Sequence, residues 1–283
     1  MQKYVLILAM MLSFNAYADE LPSCGTNCTY SLVQNGMDKN NNPTYTLIME
    51  PIDKNKEAST IGSVTCSTSP CRNTSLWANS NVTKVEFKEG ITTIGKNTLE
   101  FMHSVTSISL PKGLKTIATE AMNGTSVSHL DIPSSVTSIG SYGLAMGYLK
   151  SINGLPQGLT SIHAWTFESS QLKDLVIPDS VTTISENAFG KEGHDKAAIQ
   201  TLYCSEALQS QCEAAVQWKK DLGREVNVVS YQKYGNSYYY KGKFYTNPND
   251  IIGDHHIKKR IYSIDEANKV AKRTGNTFRI RYR

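Results

Sequence analysis

The chain is 283 residues long, 40% hydrophobic, with a formal net charge of +4. That leaves room for one extended domain with end pieces or two compact ones, and the modest apolar share suits a thin fold with much surface per residue. After the first 18 residues no stretch approaches the ~18 apolar residues of a membrane span, so no transmembrane segment is expected in the mature chain.

Residues 1–18 read as an export signal. Lys3 supplies a positive start, Tyr4–Phe14 is mostly apolar with no polar face, and Ala16-Tyr17-Ala18 is a small-x-small cleavage site. The mature protein is expected in the periplasm, at the cell surface or released. No cysteine follows the cleavage site directly, so a lipid anchor is unsupported, and Phe278–Arg283 offers no hydrophobic sorting tail.

Residues 19–81 do not repeat. Two strand-like runs, Thr29–Val33 and Thr44–Met49, flank a turn-rich connector and predict a β-hairpin, then a loop holding Cys66 and Cys71, then Trp77. This segment is expected to cap the open end of the core that starts at Val82.

From Val82 a pattern recurs, with units opening at Val82, Val105, Val127, Leu149 and Leu172 and a truncated sixth at Ile199. Steps of about 22 residues predict a right-handed solenoid of five to six coils, each unable to bury its apolar side alone. Apolar columns run through the units at the fourth, sixth, tenth, thirteenth and eighteenth positions. The thirteenth reads Ile94, Ile117, Ile139, Ile162 and Ile184. Alternation within each unit predicts two short strands per coil, and Pro111, Pro133, Pro156 and Pro178 end the first. Lys88 stands in the proline column of the first unit, and Asn153-Gly154-Leu155 adds a residue to the fourth.

Residues 205–225 read as a helix with Ser205 as N-cap, lidding the end of the core. Residues 226–283 read as a small α+β module: strands at Val226–Tyr231, Tyr238–Tyr240 and Lys243–Thr246, and a helix opened by the capping box Ser263–Glu266. Asn227–Arg283 holds 12 Lys and Arg against 4 Asp and Glu, a local charge of +8 that leaves −4 on the rest.

Six cysteines form three close pairs, and export favours disulfides over metal ligation. Cys24 with Cys28 and Cys66 with Cys71 are the candidate bridges. Cys204 with Cys212 is doubtful: in a helix capped by Ser205, Cys212 lies two turns on, about 10 Å away, beyond the ~7 Å reach of a disulfide. No histidine completes a zinc spacing.

The unit [VL]-x-x-[IVL]-x-[IFL]-P-x-x-[VIL]-x-x-I-x-x-x-[AT]-F, clearest at residues 172–189, resembles the BspA-like leucine-rich repeat family over about Val82–Cys204. The resemblance implies a leucine-rich-repeat solenoid on an exported bacterial surface protein, associated with adhesion to host, matrix or microbial surfaces, and no shared catalytic residues. The end of the chain, Arg260–Arg283, resembles a terminal module recurring on such proteins in gut-dwelling Gram-negative bacteria.

Two columns stand out as binding candidates. Positions eleven and twelve stay short and polar, with Thr137, Thr160 and Thr182 among them. They form either a flat contact surface or simply exposed strand threonines. Tyr142 and Trp165 occupy one column in neighbouring coils where other units carry Asn97, Glu120 and Asn187, so they should face solvent as a rigid contact patch for a protein or glycan, unless they pack against a loop or the tail. The ten aromatics of the tail, interleaved with Lys and Arg, suggest either docking to an anionic envelope polymer or a small sheet with solvated basic faces. An exported location argues against nucleic acid. His255 and His256 beside Asp254 make a weak metal candidate, since neighbours on a strand face opposite ways. Phosphate-loop, serine-hydrolase, zinc-protease and dinucleotide motifs are absent from the sequence. The expectation is therefore a non-enzymatic, cofactor-free recognition or adhesion protein, or alternatively an envelope-associated structural protein docked through its basic tail.

Overall fold

The structure, a computed structural model, describes residues 21–62, 64–65, 72–78, 81–193, 197–247 and 249–252. The export signal, Cys66, Cys71, His255, His256 and the Ser263 capping box lie outside the described residues.

Each repeat forms two short strands. The first set runs through Val82–Phe87, Ser107–Ser109, His129–Leu130, Ser151–Ile152, Asp174–Val176 and Thr201–Ser205. The second runs through Ile91–Ile94, Thr116–Ile117, Ser138–Ile139, Ser161–Ile162 and Thr183–Ile184. Pairing is parallel and in register from unit to unit: Val85 opposite Ile108, Leu130 opposite Ile152, Leu175 opposite Leu202. In the second ladder Ile94, Ile117 and Ile139 lie opposite one another in turn, as do Ile162 and Ile184. Parallel pairing one repeat apart puts each column on one side of a β-rich, leucine-rich-repeat-like fold.

The turn between the two strands has a local cause. In four units the carbonyl of the column proline accepts a hydrogen bond from the amide three residues on: Leu114 to Pro111, Val136 to Pro133, Leu159 to Pro156 and Val181 to Pro178, each at 3.1 Å. This is the closing bond of a β-turn, and it uses only the acceptor that proline retains. Lys88 serves equally in the first unit, accepting from Ile91 at 3.2 Å.

The apolar columns form one continuous core. All five isoleucines of the thirteenth position belong to a single cluster with Leu99, Met122, Leu144, Phe167 and Phe189 of the eighteenth. Phe167 and Phe189 stack inside it, centroids 5.4 Å apart. Side chains of this size contribute about 1.5–3 kcal/mol each when buried, so the columns supply most of the driving force.

The segment read as non-repeating continues both ladders. Pro43–Pro51 pairs in parallel with Val82–Phe87, and Ala58–Thr60 pairs in parallel with Ile91–Ile94. Leu47, Met49 and Ala58 are buried with the repeat core. The hairpin partner Cys28–Met37 runs antiparallel to Pro43–Pro51, and Ser23–Thr26 runs antiparallel to Ala58–Thr60, which joins the two ladders into one nine-stranded sheet. The approach is close: a Cβ on Gly95 would sit 1.8 Å from the Thr60 carbonyl oxygen.

At the other end the helix begins later than Ser205 implies. Glu206–Leu208 is a 3-10 turn, the α-helix spans Gln209–Asp221, and the Ser205 side chain makes no capping bond. The turn draws Cys212 back, so Cys204 and Cys212 stand 6.9 Å apart at Cα and are disulfide-bonded. This corrects the expectation of a ~10 Å gap. The expected Cys24–Cys28 bridge is present, with a Cα separation of 5.1 Å.

The basic tail begins by extending the first ladder, in a five-stranded sheet with Asp174–Val176 and Thr201–Ser205. Asn227–Tyr234 pairs in parallel with Thr201–Ser205, then Ser237–Tyr240 and Lys243–Tyr245 follow antiparallel. Tyr231, Tyr238, Tyr240 and Ile251 form a second cluster with Val176 and Tyr203 of the repeats. The Tyr231 hydroxyl donates to the Ile177 carbonyl at 2.6 Å, and that of Tyr238 to Asp179 Oδ1 at 3.1 Å.

Candidate recognition surface

In the first four units the chain turns in the left-handed region three residues past the isoleucine of the thirteenth column, whereas Asn187 of the fifth does not. Asn97, Glu120, Tyr142 and Trp165 have φ of 58°, 57°, 57° and 64°. Asparagine tolerates this conformation, whereas bulky side chains adopt it rarely and at a cost. The amides of Asn97, Glu120 and Trp165 each donate to a carbonyl of the next coil, Thr119, Ser141 and Asn187. The column is thus bonded along the stack, and its side chains project beside one another at coil spacing.

That geometry brings the Tyr142 and Trp165 rings together. Their centroids are 5.7 Å apart and their planes 5° from parallel, and both residues are half-buried. Lys191 Nζ lies 5.6 Å from the Trp165 centroid. Tyr142 comes from the coil before Trp165 and Lys191 from the coil after. Where exposed aromatics were expected, both are half-buried, and the two rings use a face of each on one another rather than lying side by side as a platform.

Toward the amino-terminal end the same turns carry an amide–carboxylate ladder. Asn97 Nδ2 donates to Glu120 Oε2 at 3.0 Å and also to Glu100 Oε2, while Asn123 Nδ2 reaches Glu100 Oε1 at 3.4 Å. Glu100 is 4% exposed, and burial pushes its carboxyl above the usual range. Burial, with Glu168 and then Glu120 nearby, likewise raises the Tyr142 phenol. Nothing in the sequence marks Glu100. Its column otherwise reads Asn123, Ala145, Glu168 and Gly190, with no pattern to single it out.

Thr137, Thr160 and Thr182 are exposed on the second ladder, as the polar columns imply. Thr160 and Thr182 are linked, the Thr182 amide and hydroxyl both donating to the Thr160 carbonyl at 2.9 and 3.3 Å, while the Thr137 amide donates to the Lys115 carbonyl. Among the described residues no hydrogen bond ties these threonines to the aromatic pair.

A trio that sequence spacing does not reveal sits on the first ladder. His129 Nδ1 is 2.8 Å from Ser151 Oγ, and its Nε2 is 3.1 Å from Asp131 Oδ1. All three residues are exposed on an open strand face, which lacks the enclosed, water-excluded setting of a nucleophilic site. They read as a surface hydrogen-bond chain. Among the described residues no cluster of three or more His, Cys, Asp or Glu could hold a metal, and no helix is long and apolar enough to cross a membrane.

Parallel ladders one repeat apart, with one column of outward side chains, define a leucine-rich-repeat-like fold. Residues 73–194 match the BspA type leucine-rich repeat region in six copies. A leucine-rich repeat protein from Eubacterium ventriosum matches in structure at a TM-score of 0.44 and 20% identity, covering 58% of this chain and 40% of that one. One from Bacteroides ovatus matches at 0.37 and 15%, covering 62% and 58%. A leucine-rich cell surface protein from Faecalibacterium prausnitzii matches at 0.23 and 12%, covering 77% and 95%. The match thus spans less than two thirds of the first two proteins' length. No curated protein matches the chain in sequence.

Proposed function

We propose that this is an exported, non-enzymatic recognition protein whose solenoid binds a macromolecular partner, protein or glycan, through the outward columns of its repeats, as an adhesive surface protein would. The observation that carries the reading is the Tyr142–Trp165 pair. Two large aromatics hold half-exposed, left-handed turn positions that carry Asn97 and Glu120 in the first two units, and bulky side chains kept in that conformation at an outward site point to function more than to stability. Repeat surfaces with rigid aromatics suit a partner that meets several coils at once.

The alternative of docking to an anionic envelope polymer through the tail draws less support. Tyr231, Tyr238 and Tyr240 are buried against the repeat sheet, so they serve the tail's own attachment.

The test is a binding screen of the mature chain against matrix proteins, glycans and microbial surfaces, run beside a Tyr142→Asn/Trp165→Asn double variant. Saturable binding by the parent that drops at least tenfold in the variant supports the reading. A partner bound equally by both proteins removes the aromatic pair from it.

A further inference from the structure

We propose that Glu100 and Glu120, acids of neighbouring coils that share the side-chain amide of Asn97, form a proton-operated clasp that tightens the first two coils in mild acid.

The parts come from two turns. Asn97 and Glu100 belong to the first coil, Glu120 and Asn123 to the second. Asn97 Nδ2 donates to Glu100 Oε2 and, at 3.0 Å, to Glu120 Oε2, so one amide is divided between two carboxylates. Asn123 Nδ2 reaches back to Glu100 Oε1 at 3.4 Å. The side chains therefore cross the coil boundary twice. The backbone crosses it beside them, with the Asn97 and Phe101 amides donating to the Thr119 and Asn123 carbonyls at 3.3 and 2.9 Å.

Glu100 is the unusual member. It is 4% exposed, and its partners are two neutral amides. Among the described residues no Lys, Arg or His stands within ion-pair distance of it. A carboxylate taken out of water without a cation is destabilising, and a second acid on the same amide adds repulsion. The other charges around it are few. Its own turn carries the exposed Lys96, which opposes protonation without outweighing burial. From the second coil Glu120 faces it, and past Asn123 the exposed His103 ring bonds the Gly124 carbonyl at 2.6 Å. The amino-terminal segment meets this turn through Thr60, Asn73 and Trp77, none of them charged.

Proton uptake acts in one direction. At neutral pH the clasp holds a buried charge with no counter-charge. As pH falls, Glu100 binds its proton in the folded chain before it does in the unfolded chain, because burial raises its carboxyl. The folded state then gains stability until the unfolded chain protonates as well, near pH 4.3. The repulsion across Asn97 is relieved, and Glu120 keeps its bond to the amide.

The experiment measures melting temperatures of the full chain, Glu100→Gln and Glu120→Gln between pH 7.5 and 4.5. Glutamine keeps the size of the protonated acid and cannot charge, and other titrating groups cancel in the difference. The wild-type melting temperature, taken relative to Glu100→Gln at each pH, is expected to rise by about 2–4 °C as pH falls. Glu120→Gln should shrink that rise without abolishing it, since burial is the larger cause. Protection of the Asn97 and Phe101 amides from exchange, relative to the same variant, should follow the same curve. A difference that stays flat or falls with pH overturns the clasp, and so does a rise that Glu120→Gln leaves untouched. Carbon-13 titration of the wild-type side-chain carboxyls needs no variant. The Glu100 carboxyl should titrate above the other glutamates, and titration together with them also overturns the proposal.

Discussion

The two ends of the coil stack solve the same problem by different means. At the amino-terminal end Pro43–Pro51 and Ala58–Thr60 extend both ladders as strands, and the crossing strands tie them together. At the carboxy-terminal end only the first ladder is extended by strand, through Asn227–Tyr234. The second ladder stops at Thr183–Ile184 against the helix Gln209–Asp221. There a side chain replaces the missing strand: the Ile184 amide donates to Gln211 Oε1 at 2.8 Å, and Gln211 Nε2 donates to the Thr182 carbonyl at 3.1 Å. A backbone strand closes an end with cooperative bonds, whereas an amide side chain closes it with two. The carboxy-terminal end is therefore the one that opens first along its second ladder.

The largest effects come from emptying each end. Trp77 is 4% exposed, meets Tyr30 edge-to-face and donates its indole N–H to the Thr98 carbonyl at 3.0 Å. Tyr231 is 1% exposed and anchors the tail sheet. Alanine at either is expected to cost about 3–5 kcal/mol. The pattern of amide exchange separates them. Trp77→Ala deprotects both ladders near the first coil, because that end joins them, while Tyr231→Ala frees the tail sheet and leaves coils one to three protected. Deprotection confined to one ladder in Trp77→Ala would break the comparison.

Alkaline pH probes the same asymmetry. Burial, with Asp179 and Asp174 close by, raises the phenols of Tyr203 and Tyr231 strongly and pushes that of Tyr238 up to about 12. A group whose folded pKa lies above its unfolded value of about 10 stays protonated longer in the folded state. Stability then falls as pH rises past about 10, since the unfolded chain releases its protons first. At the amino-terminal end Tyr30 is also raised by burial, but one phenol there stands against three at the carboxy-terminal end, Tyr231 and Tyr238 of the tail and Tyr203 of the last repeat strand. Titration followed by tyrosinate absorbance and far-ultraviolet dichroism should show the tail sheet released before the repeats. A single transition for both would count against separate ends.

The disulfides differ in what they hold. Cys204–Cys212 binds the last repeat strand of the first ladder, Thr201–Ser205, to the helix that closes the second, whereas Cys24–Cys28 closes a tight turn within an end segment already fixed by strands. Loop-closure entropy gives about 2–3 kcal/mol for the first and about 2 kcal/mol for the second. Cys204→Ala/Cys212→Ala is expected to lower the melting temperature and expose the helix to protease. Cys24→Ala/Cys28→Ala should lower the temperature alone.

Legibility in the sequence tracks where the physical signals lie. Columns such as Ile94–Ile184 are readable because burial repeats at one spacing and register comes with it. The amino-terminal rung is hidden because its step is 38 residues from Leu47 to Val85, not the 22 or 23 of the repeats. The Cys204–Cys212 bridge is misjudged because a serine before a polar run resembles an N-cap, and a 3-10 turn leaves no mark in composition. Tyr142 and Trp165 stand out by contrast with their column, but their left-handed backbone does not, since aromatic residues do not signal positive φ. The tail's tyrosines announce a sheet without saying which surface it covers. That surface is set partly by the extra residue of the fourth unit. Gly154, at φ 109°, lets Asn249 approach so closely that a Cβ would sit 2.4 Å from its side-chain amide.

The finest test concerns the amides that stand in for strands. Asn153 does inside the first ladder what Gln211 does at the end of the second: Ile132 donates to its Oδ1 at 2.8 Å, and its Nδ2 donates back to the Ile132 carbonyl at 3.1 Å. Alanine at either leaves a backbone donor and acceptor unmatched and should cost about 1–2 kcal/mol. Gln211→Glu is sharper. Above the carboxylate range its Oε1 still accepts from Ile184, but the second oxygen faces the Thr182 carbonyl without a proton to offer, so the end is weakened. Protonation restores the donor, and the variant should regain stability as pH falls through the carboxylate range, while Gln211→Ala shows no such recovery. Identical pH profiles for the two variants would mean that the amide does not close the ladder, and that the helix holds this end by packing alone.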